Sequence, residues 1–429
     1  MLKRLTSLVL RRDLAIPPEK RTTAALLILA VFELLLIAAT RPLWMRRTDF
    51  PQVPLLAVPG RTFGEGNAVS LFFVTLLCML IARLLWKSGP RQVIRLVFSV
   101  TLVTGISLVF VDQHRLQAWH WFFLLNIAVA LVLQGTNRLS LMRQIVASVY
   151  VCSALSRITV VPAQGITGVI VRQLLSMLGI EPIGISDQTF DLLCHTMTAG
   201  ELLVGLLLLL SERTRSFGCV GALLLHGTLL IVLGPWGLNH HIGVLLWNIC
   251  FLCLVPLLFA GNDVAMASAE HSHAGRRRFA LIMIWGFPIS GLLGLADNWP
   301  SWQLYSSRPE SWILLVHEAD RTKVVPTLAN YLSDPAPLSD WCPVMLDRWS
   351  LDQTSSPMYP EDRFQLAVIE WVLAQSDSPL RFRIAISEPQ RVLWWRRNER
   401  TIDTRESLQR ERQRFLLGST SFGFRTKVR

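Results

Sequence analysis

The sequence predicts an all-α polytopic membrane bundle of about nine transmembrane helices, followed by a small C-terminal α+β domain outside the cytoplasm. Three observations carry this expectation. The 429 residues are 52% hydrophobic and 17% charged, where a soluble domain has about 25% charged residues. Mean hydropathy is +0.42. Residues 1–296 hold 24 Lys+Arg against 13 Asp+Glu, whereas residues 297–429 hold 18 against 17. The basicity thus belongs to the apolar part, where it marks cytoplasmic loops and anionic headgroups rather than nucleic acid. The bilayer itself is the first partner.

The elements follow in order. Residues 1–21 form a basic cytoplasmic segment, with Leu2, Leu5 and Leu8 at helical spacing. The apolar run after it is too long for a signal-peptide core, so it reads as an uncleaved first helix. A span needs roughly 20 apolar residues at a rise of 1.5 Å each. Nine stretches qualify: 22–40, 67–86, 93–111, 118–134, 141–161, 189–210, 217–233, 242–260 and 279–296. Residues 22–296 are the bundle. Segment 164–182 is apolar but interrupted by glycine, and reads as a re-entrant or interfacial helix.

Charge in the short loops sets orientation. The N-terminus and the loops with Lys87, Arg91, Arg138, Arg213, Arg215 and Arg276 to Arg278 are read as inside. The loop with Arg41, Arg46, Arg47 and Arg61 runs against the rule. Nine spans then leave the C-terminal domain, 297–429, outside. In it, 311–317 and 380–386 read as strands, 360–375 as a helix with an apolar stripe, and 401–415 as a charged helix. Trp299, Trp302, Trp312, Trp341, Trp349 and Trp371 make it rich in aromatic residues, which suits either a core or an interface with an extracytoplasmic protein partner.

An ionisable side chain at membrane depth is costly without a partner or water, so each is a candidate site. Glu201 and His226 fall at mid-membrane in consecutive helices and are expected to meet, either as a hydrogen-bonded pair or as a proton carrier. Arg157 is expected near Asp191, with Tyr150, Ser153 and Arg157 on one face. Asp112, His114, Arg115, His120, Arg157, Asp191, His195, His240 and His241 could line one outward-facing cleft. Their spacing matches no metal signature, so no metal is assigned. Cys250 and Cys253 form a CxxC inside a helix, able to cycle as dithiol and disulfide or simply to pack. His271 and His273 lie in a cytoplasmic loop. No P-loop, zincin or nucleophile-elbow motif occurs.

The stretches Asp112–Trp119, Tyr150–Arg157, Ala199–Glu201, Leu233–His240 and Trp247–Asn248 resemble the DoxX/MauE-like bacterial membrane proteins. Residues 141–260 would be that group's four-helix module, with Tyr150, Ser153, Glu201 and Asn248 at matching positions. The resemblance implies a bacterial inner-membrane location and a role in redox or thiol homeostasis, with a quinone as the implied cofactor. The layout is also similar to the transmembrane (HTTM) family of the vitamin K-dependent γ-carboxylase. The five lysines, Lys3, Lys20, Lys87, Lys323 and Lys427, all lie outside the nine expected spans, so an embedded catalytic lysine is missing. Three functions compete: redox chemistry on quinones or thiols, carriage of a small molecule or lipid by the Glu201–His226 pair, and assembly of an extracytoplasmic partner.

Overall fold

The computed structural model describes residues 16–45, 47, 49–55, 66–86, 90–158, 162–260, 274–304, 306, 308–376, 378–389 and 397–415. Most of the basic N-terminal segment, with Arg46, Arg61, Lys87, His271 and His273, lies outside them. The chain divides into two compact units. The first holds residues 1–39, 74–103 and 118–308, and the second holds 40–73, 104–117 and 309–429.

The helical elements are α1 (Pro18–Ala39), the short α2 (Arg41–Trp44), α3 (Gly66–Trp86), α4 (Arg91–Val111), α5 (Ala118–Val132), α6 (Gly135–Ser156), α7 (Ile166–Met177), α8 (Asp187–Leu210), α9 (Glu212–Leu233), α10 (Ile242–Phe259) and α11 (Ala274–Leu292). Among the described residues, seven helices are long and apolar enough to cross a membrane: α1, α3, α4, α6, α8, α9 and α10. The chain therefore reads as a multi-pass membrane protein. Helices α5 and α7 are apolar but shorter, and α11 opens on Arg276, Arg277 and Arg278.

Local chemistry fixes the helix ends. Pro18 and Glu19 open α1, where a missing N–H costs nothing and a negative charge meets the dipole. Ser186 caps α8 by accepting from Thr189 N. Ser211 and Thr214 cap α9 reciprocally. At the other end, Arg308 donates to Leu155 O (2.9 Å), Ser156 O (3.0 Å) and Leu292 O (2.9 Å), so one guanidinium takes up free carbonyls of α6 and α11. Glycine brings helices together. A Cβ on Gly205 would stand 2.8 Å from Val151 Cγ2 and 3.0 Å from Tyr150 Cβ, so α8 presses its backbone directly on α6. The 12 residues of α7 fall short of a span. Its Ile170 packs on Val232 and Leu233, and its Val171 on Phe190 and Cys194.

The second unit contains β1 (Ser311–His317), β2 (Trp341–Pro343), α12 (Leu346–Thr354), α13 (Asp362–Gln375), β3 (Phe382–Pro389), β4 (Arg397–Ile402) and α14 (Arg405–Arg412). The strands form one antiparallel sheet in the order β2-β1-β3-β4. Leu314 pairs with Ile384 and Trp312 with Ile386. Trp312, Leu314 and Val316 alternate inward along β1, the two-residue period of a half-buried strand. Gln365 of α13 accepts from Trp312 N and donates to Glu310 O, which stitches helix to sheet. The expected tail helix at 401–415 shortens to α14, because 397–402 joins the sheet as β4.

The second unit differs from the expected 297–429: it leaves 297–308 to the first unit and recruits the segments 40–73 and 104–117. Phe50 from the first segment sits 4.6 Å from the ring of Trp349 and 5.7 Å from that of His114. Arg47 pairs with Asp112 at 2.5 Å. Arg115 donates to Leu43 O and Trp44 O, both at 3.3 Å. Arg47, from the loop that ran against the charge rule, is thus part of a folded core.

Candidate functional site

Three polar clusters lie inside the first unit. In the first, Glu33 of α1 meets His120 of α5, with Oε1 and Nδ1 2.6 Å apart. Both side chains are buried, at 1% and 0% exposure. Glu33 stands among leucines in the middle of α1 and was not among the expected site residues. An acidic residue inside a 22-residue apolar helix was the available signal.

The second cluster joins three helices. Asn248 Nδ2 of α10 donates to Val244 O at 2.8 Å, so its Oδ1 is the acceptor facing His226 Nδ1 of α9, also at 2.8 Å. His226 therefore carries its proton on Nδ1, and its bare Nε2 accepts from the Tyr150 hydroxyl of α6 at 2.7 Å. All three residues are buried. Phe251 covers the pair, with ring centroids 5.0 Å from His226 and 5.7 Å from Tyr150.

The third cluster is the ion pair of Arg157, at the C-terminal end of α6, with Glu201 of α8. Arg157 also donates to Ser153 Oγ at 3.3 Å. Tyr150, Ser153, Glu201 and Asn248 all fall in the second and third clusters.

This geometry corrects two expected contacts. Glu201 and His226 do not pair. Depth alone matched them, but the helix face decides. Glu201 lies four residues before Gly205, on the face that α8 presses against α6. It therefore finds Arg157, while His226 turns to Tyr150 and Asn248. Arg157 does not meet Asp191 either, because Glu201 takes its guanidinium and Asp191 Oδ1 accepts from Ala163 N at 3.3 Å.

The nine residues expected along one cleft separate as well. Asp112, His114, Arg115 and His120 are fully buried, so none lines an open surface. The first three belong to the second unit and His120 to the first. His195 is exposed, while Asp191, His240 and His241 are half-buried. Among the described residues, no three His, Cys, Asp or Glu side chains come together as a metal site. Cys250 and Cys253, neighbours one turn apart on α10, are free thiols, the first buried and the second exposed.

In the second unit, Asp112 binds Arg47 and accepts from Val53 N and His114 N, at 3.3 and 3.2 Å. His114 Nε2 donates to Pro357 O at 2.8 Å, and its ring lies 5.1 Å from that of Phe364. Burial, helped by the nearby Arg47 charge, pushes the His114 imidazole down to about 4. Burial also lowers Arg115, to about 10. No family model, curated protein or solved structure matches the chain.

Proposed function

We propose that the chain is a multi-pass carrier of the bacterial inner membrane, which couples movement of a small molecule to proton binding at Glu33 and His120. The observation that supports this reading is their 2.6 Å contact, fully buried, between two helices of the bundle. An ionisable pair at that depth costs several kcal/mol to insert, which a purely structural contact could avoid with apolar residues. A carboxylate beside an imidazole holds one proton more or one fewer as the surroundings change. The thiol-exchange reading rests on Cys250 and Cys253 alone, and Cys250 is buried.

The proposed topology has nine crossings, a cytoplasmic N-terminus and an extracytoplasmic second unit. Its support is the composition of that unit. The segments 40–73 and 104–117 follow one and three crossings, so they share a side, and residues 309–429 fold with them. An even number of crossings must therefore separate 117 from 309. Helices α5, α6, α8, α9, α10 and α11 supply six, with α7 lying at the interface.

The carrier reading is tested with the full-length protein in vesicles that enclose a pH-sensitive dye. The water-soluble small molecules of a cell extract are added outside. The expected result is a proton movement that Glu33→Gln and His120→Ala each abolish. No movement with the wild type, or one that both variants keep, overturns the reading.

A further inference from the structure

We propose that Tyr150 and His226 form a proton-coupled redox pair that intercepts lipid peroxyl radicals from the bilayer, with Trp247 as the port through which the electron leaves. The proposal goes beyond the carrier reading and uses neither Glu33 nor His120.

Three observations carry it. First, the hydrogen bond has the right polarity. Asn248 fixes the Nδ1–H form of His226, so the imidazole presents a bare Nε2 to the Tyr150 O–H at 2.7 Å. A phenol that loses an electron becomes a very strong acid, and the proton has a base waiting for it. Second, the pair is wired. Phe251 lies between it and Trp247, whose ring is 4.8 Å from that of Phe251. Phe122 extends the cluster, 5.4 Å from Trp247 and 6.0 Å from Trp302. Trp247 is only half-buried, whereas Tyr150 is 2% exposed. Third, the pair is shut in. Tyr150 is 2% and His226 7% exposed, a burial that electrons and protons cross more readily than a substrate does.

The oxidant must therefore be a radical dissolved in the hydrocarbon, which excludes ionic oxidants. An electron passes from Tyr150 by way of Trp247 to the peroxyl radical ROO•, giving ROO⁻. The phenolic O–H bond breaks and its proton moves to His226 Nε2, leaving a neutral tyrosyl radical beside an imidazolium. The ROO⁻ anion takes a proton from interfacial water and leaves as the hydroperoxide ROOH, with hydroxide as the other product.

The test uses the full-length protein in vesicles of polyunsaturated phosphatidylcholine, with a lipid-soluble azo initiator as the radical source. Samples are frozen during oxidation and read by electron paramagnetic resonance. The expected result is a tyrosyl signal in the wild type that is lost in Tyr150→Phe. It is also lost in His226→Gln, which keeps a hydrogen-bond acceptor but not a base. Trp247→Phe delays its appearance. Circular dichroism checks that each variant keeps its helices, and slower radical formation by the wild type in heavy water reads the proton transfer without any variant. A tyrosyl signal that survives both Tyr150→Phe and His226→Gln overturns the proposal, as does a wild type with no protein radical or no isotope effect.

Discussion

Asp112 and Arg47, 65 positions apart, form a 2.5 Å ion pair whose side chains are 0% and 5% exposed. Removing one charge from such a pair strands the other, at a cost of about 3–5 kcal/mol. Asp112→Asn keeps an acceptor for Val53 N and His114 N, so it isolates the charge. The expected outcome is faster proteolysis of the second unit in the full-length protein. The double change Asp112→Asn with Arg47→Met should recover part of the loss, because no charge is then left unpaired. Equal protease sensitivity in wild type and Asp112→Asn would show that the pair contributes nothing.

His114 makes the second unit sensitive to acid. Its folded-state value of about 4 lies below the ordinary 6.5, so the unfolded chain binds the proton first. The contribution is whole above pH 6.5 and falls as the pH drops from 6.5 toward 4. The slope is about 1.4 kcal/mol per pH unit and the total about 3 kcal/mol. Urea resistance of the second unit should therefore decline between pH 7 and pH 5. In His114→Phe that decline should be smaller. Parallel pH profiles in the two proteins would exclude His114 as the cause.

Gly205 and Gly200 share a helix but not an environment. A side chain at Gly205 meets Val151 and Tyr150, while nothing lies within 4 Å of a Cβ at Gly200. Gly205→Val should lower thermal stability in detergent by about 1–3 kcal/mol through overpacking. Gly200→Val should be close to neutral. A similar melting temperature for both variants would contradict the direct contact of α6 with α8.

Leu338 reports the side of the membrane. It is fully exposed, with a positive φ of 64° at a turn, so a cysteine there is open to reagent. In intact cells, a membrane-impermeant maleimide should label Leu338→Cys, while Cys342, buried in β2, should stay unlabelled. Labelling of Leu338→Cys only after the cells are opened would put the second unit in the cytoplasm.

The helices were the legible part of this sequence. Spans expected at 67–86, 189–210 and 242–260 appear as Gly66–Trp86, Asp187–Leu210 and Ile242–Phe259, since an uninterrupted apolar run in lipid has few other solutions. The strand at 311–317 was legible too, as a short apolar run between polar residues. The polar partners were not. Height in the membrane follows from counting residues, but rotation about the helix axis does not. It depends on where helices touch, and Gly205, four residues after Glu201, was the one local sign that this face turns toward α6. Glu33 was legible by the same rule as Glu201, a carboxylate inside an apolar helix, but its partner His120, 87 positions away, was not. The reach of the second unit escaped because its segments, including Arg47, Asp112 and Pro357, are far apart in the chain.

The hydrogen bond between His114 and Pro357 closes a loop of 243 positions, which sets a timetable for biosynthesis. At ribosomal rates of 5–20 residues per second, the first partner waits roughly 10 to 50 s for the second. During that interval Phe50, Arg47 and His114 are synthesised without Trp349 and Phe364 to cover them. Such late, long-range closure makes folding slow and open to capture. The early loops of this unit are therefore natural clients for a chaperone, and premature termination of the chain would leave them permanently uncovered.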